Sequence, residues 1–247
     1  MASGRFAPSP TGLLHLGSAR TALVSWLAAR SSGAAFRMRI EDLDRPRVVP
    51  GAAEAMLEDL RWLGLDWDGP AVYQSERLAA YETAVRKLEQ AGLVFGCCCS
   101  RADVARAASA PHAGEEGPRY PGTCRFSPPP GKRQPSLRFK VDPGHVCFDD
   151  ELAGVYCQDV SEAIGDFVLR RADGIFAYQL AVVVDDIAMG IQEVVRGDDL
   201  LSSTPRQLLL YRALGAAAPR YAHVPLILGP DGQRLAKRHG AWLSAGR

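Results

Sequence analysis

The chain has no apolar run approaching the ~20 residues that a membrane-spanning helix needs. Its first residues, Met1-Ala2-Ser3-Gly4-Arg5, lack the apolar stretch of a secretory signal. No segment repeats. Excess charge is missing too: 29 basic residues face 28 acidic ones, for a net charge of +1. A chain that holds nucleic acid by bulk positive charge is thereby excluded, although a local basic patch is not. With 47% hydrophobic and 23% charged residues, the composition is neither disordered nor fibrous. These absences point to a cytoplasmic protein with no membrane association. The length of 247 residues suits one large domain, or a domain with an insertion.

Six cysteines are present, three of them consecutive at Cys97, Cys98 and Cys99. In a reducing compartment they are expected to be free or metal-bound, and Cys147 and Cys157 are read as ordinary buried thiols. Basic residues cluster between Gly117 and Val141, where Arg119, Arg125, Lys132, Arg133, Arg138 and Lys140 occur without an acid. Such a run is either a solvated loop or a phosphate-contacting surface.

Arg5-Phe6-Ala7 reads as a short strand stopped by Pro8-Ser9-Pro10, with a turn at Thr11-Gly12. Leu16, Ala19, Leu23, Trp26 and Leu27 then recur at helical spacing up to about Arg30. Phe36 to Ile40 reads as a strand. Pro50 opens a helix to Leu63 with Ala53, Met56, Leu57 and Leu60 on one face. Another helix is expected from about Ser75 to Gln90. Alternating strands and helices imply an α/β fold, a Rossmann-like doubly wound parallel sheet covered by helices.

The alternation breaks at Val94, and residues 94–135 read as an insertion with little regular structure. Short strands return between Leu137 and Asp159. Ala172-Asp173-Gly174 signals a hairpin between 167–171 and 175–180. Leu180 to Met189 fits helix or strand equally. Ser202-Ser203-Thr204-Pro205 starts a helix to Leu214, and His223 to Leu228 reads as a strand. The expected division is 1–93 and 136–200 as two halves of a catalytic domain, 94–135 as the insertion, and 201–247 as a C-terminal segment.

The string from Pro8 to Ser18 joins the first strand to the first helix. Its glycines allow close approach of a phosphate, the helix N-terminus favours an anion, and His15 can donate hydrogen bonds to a phosphate whose charge is rearranging. Arg5-Phe6-Ala7-Pro8-Ser9-Pro10-Thr11-Gly12 with His15-Leu16-Gly17-Ser18 resembles the first signature of class I glutamyl-tRNA synthetases. Arg39-Ile40-Glu41-Asp42, the run from Phe176 to Asp186, Val195 to Leu200, Thr204 to Gln207 and His223 to Leu226 agree with the same family, in order. Within it, Glu41 to Arg47, Pro50 to Ala53 and the cysteine cluster resemble the short glutamyl-queuosine tRNA(Asp) synthetases. These carry no anticodon-binding domain.

The resemblance implies activation of L-glutamate by ATP with magnesium, and transfer of glutamate to queuosine in tRNA(Asp), by a chain expected to be monomeric. It places glutamate against Arg5, Phe6, Ala7, Pro8, Ser9, Glu41, Tyr178 and Arg196. Arg5 and Arg196 bring guanidinium forks suited to carboxylates, and Glu41 an anion for the ammonium. ATP is placed against Gly12, His15, Gly17, Ser18 and Lys237, with His15 and Lys237 as the catalytic charge stabilisers. The second signature departs from the family: Arg234-Leu235-Ala236-Lys237-Arg238 keeps the lysine but puts alanine where serine is usual.

Cys97, Cys99, Tyr120 and Cys124 resemble the family's zinc ligands. Thiolates suit zinc and four ligands close a structural tetrahedron. Spacing alone permits Cys98 or His112 in place of Tyr120. Two other readings remain open from sequence: a truncated synthetase that charges tRNA(Glu), and a non-catalytic RNA- or nucleotide-binding module.

Overall fold

The computed structural model describes residues 3–100, 102–104, 118–127, 134–227 and 229. The Lys237 loop, His112, Lys132 and Arg133 lie outside the described residues.

Strand β1 (Ser3–Phe6) runs parallel to β2 (Ala35–Ile40), which runs parallel to β3 (Val72–Tyr73). Helix α1 (Leu16–Ser31) crosses between β1 and β2, and α2 (Ala52–Trp62) between β2 and β3. Helix α3 (Leu78–Gln90) follows, then β4 (Val94–Cys97), β5 (Ser136–Phe139), β6 (His145–Asp150), β7 (Gly154–Asp159) and β8 (Val168–Arg170). Helix α4 (Tyr178–Ala188), β9 (Glu193–Gly197), α5 (Thr204–Leu214) and β10 (Arg220–Val224) complete the order.

β10 lies between β9 and β6, parallel to both, and β7 adds an antiparallel edge to β6. β1 sits beside β9 rather than pairing with it as a strand. Gln192 N–H donates to Ser3 O at 2.9 Å just before β9 begins. The parallel strands thus run β3-β2-β1, then β9-β10-β6, with the break in chain order between β1 and β9. That break is the switch point at whose carboxyl-terminal edge α/β sheets hold ligands.

Of the apolar residues at helical spacing in α1, Ala19 is buried and Trp26 packs half-buried against the core, but the leucines do not. Ala19, Ala22, Ser25 and Ala29 are buried, whereas Leu16, Leu23 and Leu27 are 43–49% exposed. Small side chains let α1 lie close to the strands at the switch point: a Cβ on Gly4 would stand 3.3 Å from Ala29 Cβ. Proximity to the sheet, rather than size of the apolar side chain, sets the buried face. In α2 the expected face of Ala53, Met56, Leu57 and Leu60 is the buried one.

The region after Val94 is more ordered at its root than expected, because β4 pairs antiparallel with β5, and β5 with β8. The hairpin at 172–174 keeps one bridge, Arg170 with Phe176, and then yields to α4. Residues 178–188 are helix because a buried run of eight residues, Gln179 to Asp186, packs in the core on all sides. The strand expected at His223–Leu228 begins earlier, at Arg220, and ends at Val224 before Pro225.

Cys147 and Cys157 are not buried thiols. They face each other across the β6–β7 hairpin, both exposed, and form a disulfide. Sequence spacing of 10 residues gave no register. The hairpin turn at 151–153 supplies it, pairing Asp150 with Gly154 and so Cys147 with Cys157. Among the described residues no helix is long and apolar enough to cross a membrane.

Candidate active site

A cavity of about 240 Å³ opens at the carboxyl-terminal ends of β1 and β9. Arg5, Phe6, Ala7, Pro8, Ser9, His15, Gly17, Ser18, Glu41, Tyr178 and Arg196 all line it. Gly12 lies in the turn beside it with φ +139°, a conformation that favours glycine. The exit from β1 is fixed by Glu41 N–H, which donates to Pro8 O at 3.0 Å, so the ends of β1 and β2 meet at the ligand edge.

His15 is the N-cap of α1, and its Nδ1 accepts from Ser18 N–H at 3.1 Å. A side chain at position 17 would place Cβ 3.1 Å from the His15 ring. Gly17 therefore leaves room for the imidazole to fold over the first turn of the helix and cap it.

The two arginines are nearly enclosed, each 4% exposed. Arg5 Nε has no hydrogen-bond partner and stands 3.7 Å from Asp186 Oδ1. Arg196 Nη1 is likewise buried without a partner. Both side chains line the cavity, so two buried positive charges stand at its wall. Glu41, its side chain 8% exposed, sits opposite this positive charge. Burial raises the Glu41 pKa above the usual glutamate value, against the opposing pull of Arg39 and Arg5. Burial, followed by the charge of Glu41, also raises the Tyr178 pKa, so its phenol stays a neutral hydrogen-bonding group.

Sequence reasoning assigned no role to the residues that brace this cavity. Arg39 is fully buried; its Nη1 donates to Asp186 Oδ1 at 2.5 Å and its Nη2 to Glu41 Oε1 at 3.3 Å. Burial opposes its charge, but Asp186, Glu41 and Asp185 more than offset that and raise its pKa. Asp185 accepts in turn from Gln74, Tyr81 and Arg77. The adjacent acids Asp185 and Asp186, on a helix that is otherwise apolar, were the available signal. On the other wall, Arg196 meets Thr204 and His223, and His223 meets Asp150.

The Sγ atoms of Cys97, Cys99 and Cys124 lie within 4.8 Å of one another. Tyr120 Oη stands 3.4 Å from Cys97 Sγ and accepts from Cys124 N–H at 2.8 Å. Cys98 is outside this group. Burial, then the neighbouring thiols, push Cys99 up to about 12. Burial opposes ionisation of Cys97, yet hydrogen bonds from Tyr120, Cys99 N–H and Arg138 bring its pKa below the usual thiol value. Three sulfurs this close repel one another as thiolates unless a cation lies between them, which is the donor chemistry of a thiolate metal site.

Four basic residues of the run between Gly117 and Val141 are described, and each makes contacts within the chain. Arg119 binds Ser161 O and Glu162, Arg125 binds Val141 O, Asp142 and Asp166, Arg138 binds Asp166 O and covers the Tyr120 ring, and Lys140 binds Gly92 O. Arg119 and Arg125 thereby tie residues around Cys124 to segments 141–142 and 161–166. The carboxylate partners of Arg119 and Arg125 come from positions 142–166, and Arg138 and Lys140 donate to backbone carbonyls.

A parallel α/β sheet broken at a switch point, a histidine-capped helix and buried arginines at the strand ends define the catalytic core of a class I aminoacyl-tRNA synthetase. The family model for class I tRNA synthetases (E and Q), catalytic domain, matches residues 2–246. The chain belongs to that family, in its glutamyl-Q tRNA(Asp) synthetase branch. It is 54% identical to a glutamyl-Q tRNA(Asp) synthetase of Symbiobacterium thermophilum, over all of this chain and 81% of the relative. It is also 54% identical to one of Geobacter sulfurreducens, over 99% of this chain and 78% of the relative. Among solved structures, the glutamate–tRNA synthetase of Elizabethkingia anophelis superposes with a TM-score of 0.84 at 32% identity. The match covers 97% of this chain, which spans about half (53%) of that longer protein. A tyrosyl-tRNA synthetase of Archaeoglobus fulgidus, 18% identical with a TM-score of 0.54 over 98% of this chain and 61% of its own, shares the fold.

Proposed function

We propose that the chain activates L-glutamate with ATP and transfers it to queuosine in tRNA(Asp). The observation that carries this reading is the pair of buried guanidiniums, Arg5 and Arg196, each with an unpartnered nitrogen, facing Glu41 across one small cavity. That arrangement complements an amino acid with two carboxylates and one ammonium, and the relatives' names supply the acceptor.

In the first step a carboxylate oxygen of glutamate attacks the α-phosphorus of ATP. The bond from the α-phosphorus to the bridging oxygen breaks, and pyrophosphate leaves with the electron pair. Positioning and charge stabilisation dominate such transfers. His15, Gly12, Gly17, Ser18 and Lys237 hold ATP and its magnesium, and His15 and Lys237 stabilise the charge that builds on the phosphate. Arg5, Ser9, Tyr178 and Arg196 orient glutamate, with the backbone of Phe6, Ala7 and Pro8 forming the floor. In the second step a ring hydroxyl of queuosine attacks the adenylate carbonyl. An ester forms, AMP leaves with the bonding pair, and the hydroxyl proton is released.

A second cavity of about 1150 Å³ shares Ser9, Glu41 and Tyr178 with the first and reaches Cys97, Cys99 and Tyr120. The acceptor base enters from this side. Cys97, Cys99 and Cys124, with Tyr120 as the fourth ligand, would hold one zinc ion. Such an ion would serve structure and would take no part in the chemistry. Glutamate-dependent ATP–pyrophosphate exchange without RNA tests the first step. Transfer of labelled glutamate to tRNA(Asp) with queuosine, and none to tRNA(Asp) without it or to tRNA(Glu), tests the second. Charging of tRNA(Glu) instead would refute the acceptor assignment.

A further inference from the structure

Arg196 must present one edge of its guanidinium to the cavity, and a long side chain does not hold one orientation by itself. The parallel register explains what stands behind it. β10 sets His223 directly opposite Arg196, and Tyr221 opposite Asp150 of β6. Asp150 therefore lies one step back, at the end of β6, and its carboxylate reaches forward to the backbone N–H and the ring of His223. Arg196 Nε donates to His223 Nε2 at 3.0 Å, and His223 Nδ1 meets Asp150 Oδ2 at 2.5 Å. Arg196 Nη2 donates to Thr204 Oγ1 at 2.8 Å, which leaves Nη1 unpartnered. Asp150, His223 and Thr204 are each at most 4% exposed.

We propose that Asp150 and His223 are positioning residues for Arg196: the carboxylate fixes His223 as the Nδ1–H tautomer, so that Nε2 accepts from Arg196 Nε and the guanidinium is held at the cavity wall for the substrate carboxylate. The proposal rests on the reading that this cavity binds glutamate. The tautomer follows from the donors and acceptors present. A carboxylate at Nδ1 requires a proton there, and a guanidinium N–H at Nε2 requires a lone pair. An imidazolium would set a proton against the guanidinium. Burial, then the charge of Arg196, hold the His223 pKa below the usual histidine value, in keeping with a neutral ring. Second-layer hydrogen bonds of this kind decide which nitrogen of a histidine is free.

Asp150→Asn tests the relay with little change of shape. Asp150 Oδ1 accepts from Leu152 N–H and Ala153 N–H at 3.0 and 2.9 Å, so the carboxamide oxygen stays there. Its amide group then faces Nδ1, which must become an acceptor, and the ring proton moves to Nε2 against Arg196. In pyrophosphate exchange by the full chain, Asp150→Asn and His223→Phe should each raise the KM for glutamate by about tenfold or more, with the KM for ATP unchanged. His223→Gln, whose carbonyl can accept from Nε, should recover much of the loss seen in His223→Phe. Long-range 1H–15N spectra of the free wild-type protein should show His223 as Nδ1–H. An Nε2–H or doubly protonated ring, or parallel rises in both KM values, would overturn the relay. Wild-type protein without glutamate-dependent exchange would sink the substrate reading instead, and the tautomer would still decide the relay.

Discussion

Replacing Arg39 by methionine removes a fully buried guanidinium that bridges the strand end to α4 while nearly preserving its length. Two acids lose their principal partner: Asp186, 2% exposed, and Glu41, 8% exposed. Asp186 retains Arg5 Nε only at 3.7 Å, and Asp185 loses a cation 3.9 Å away. Breaking a buried pair from one side typically costs about 3–5 kcal/mol, because the remaining charge is stranded in a poorly solvating interior. For a domain whose net stability is of order 5–15 kcal/mol, that is a large fraction. Urea denaturation should therefore show a fall of about 3 kcal/mol or more with an unchanged slope. The functional loss should follow from the same electrostatics. Arg39 is the largest charge lowering the Glu41 pKa, so its removal raises that pKa and weakens the anion available for the glutamate ammonium. A variant within about 1 kcal/mol of wild type, with an unaltered KM for glutamate, would refute the claim that Arg39 braces the site.

Glutamate binding should also weaken in acid earlier than an ordinary carboxylate would allow. Glu41 must be ionised to hold the ammonium and its pKa is raised above 4.5, so the KM for glutamate should climb as pH falls through that raised value; an inflection at or below 4.5 would contradict this. Cys124→Ser should abolish stoichiometric zinc in protein purified without chelator and destabilise the 94–135 region, read by metal analysis and hydrogen exchange, whereas Cys98→Ser should leave metal content unchanged. Oxidised protein should carry one disulfide, Cys147–Cys157, in mass spectra after alkylation. Reducing it should lower stability by at most about 3 kcal/mol, the entropy of a short closed loop; a larger fall would mean that the bridge holds more than the β6–β7 hairpin.

Much of the cavity was legible in the sequence because its residues sit on contiguous strings at the strand ends. Arg5 to Ser18 forms one wall, and Glu41 follows directly on β2. What could not be read is what depends on long-range register. His223 and Asp150 are 73 residues apart and meet only because β10 lies between β9 and β6. The same holds for Cys147 with Cys157, whose pairing follows from the turn that sets their register. Arg119 and Arg125 looked free because their carboxylate partners enter from beyond the run. Helix α1 misled for a different reason. Its leucines carry the apolar area, but the close approach at the switch point admits only alanine and serine. The second signature around Lys237 lies outside the described residues, and its part in ATP binding stands on the sequence motif.

A structure determined with L-glutamate bound is the most direct test of the account. Its two carboxylates should lie within hydrogen-bond distance of the guanidinium groups of Arg5 and Arg196, and its ammonium beside Glu41. A cavity left empty at saturating glutamate, or a ligand bound without contact to either arginine, would contradict the account.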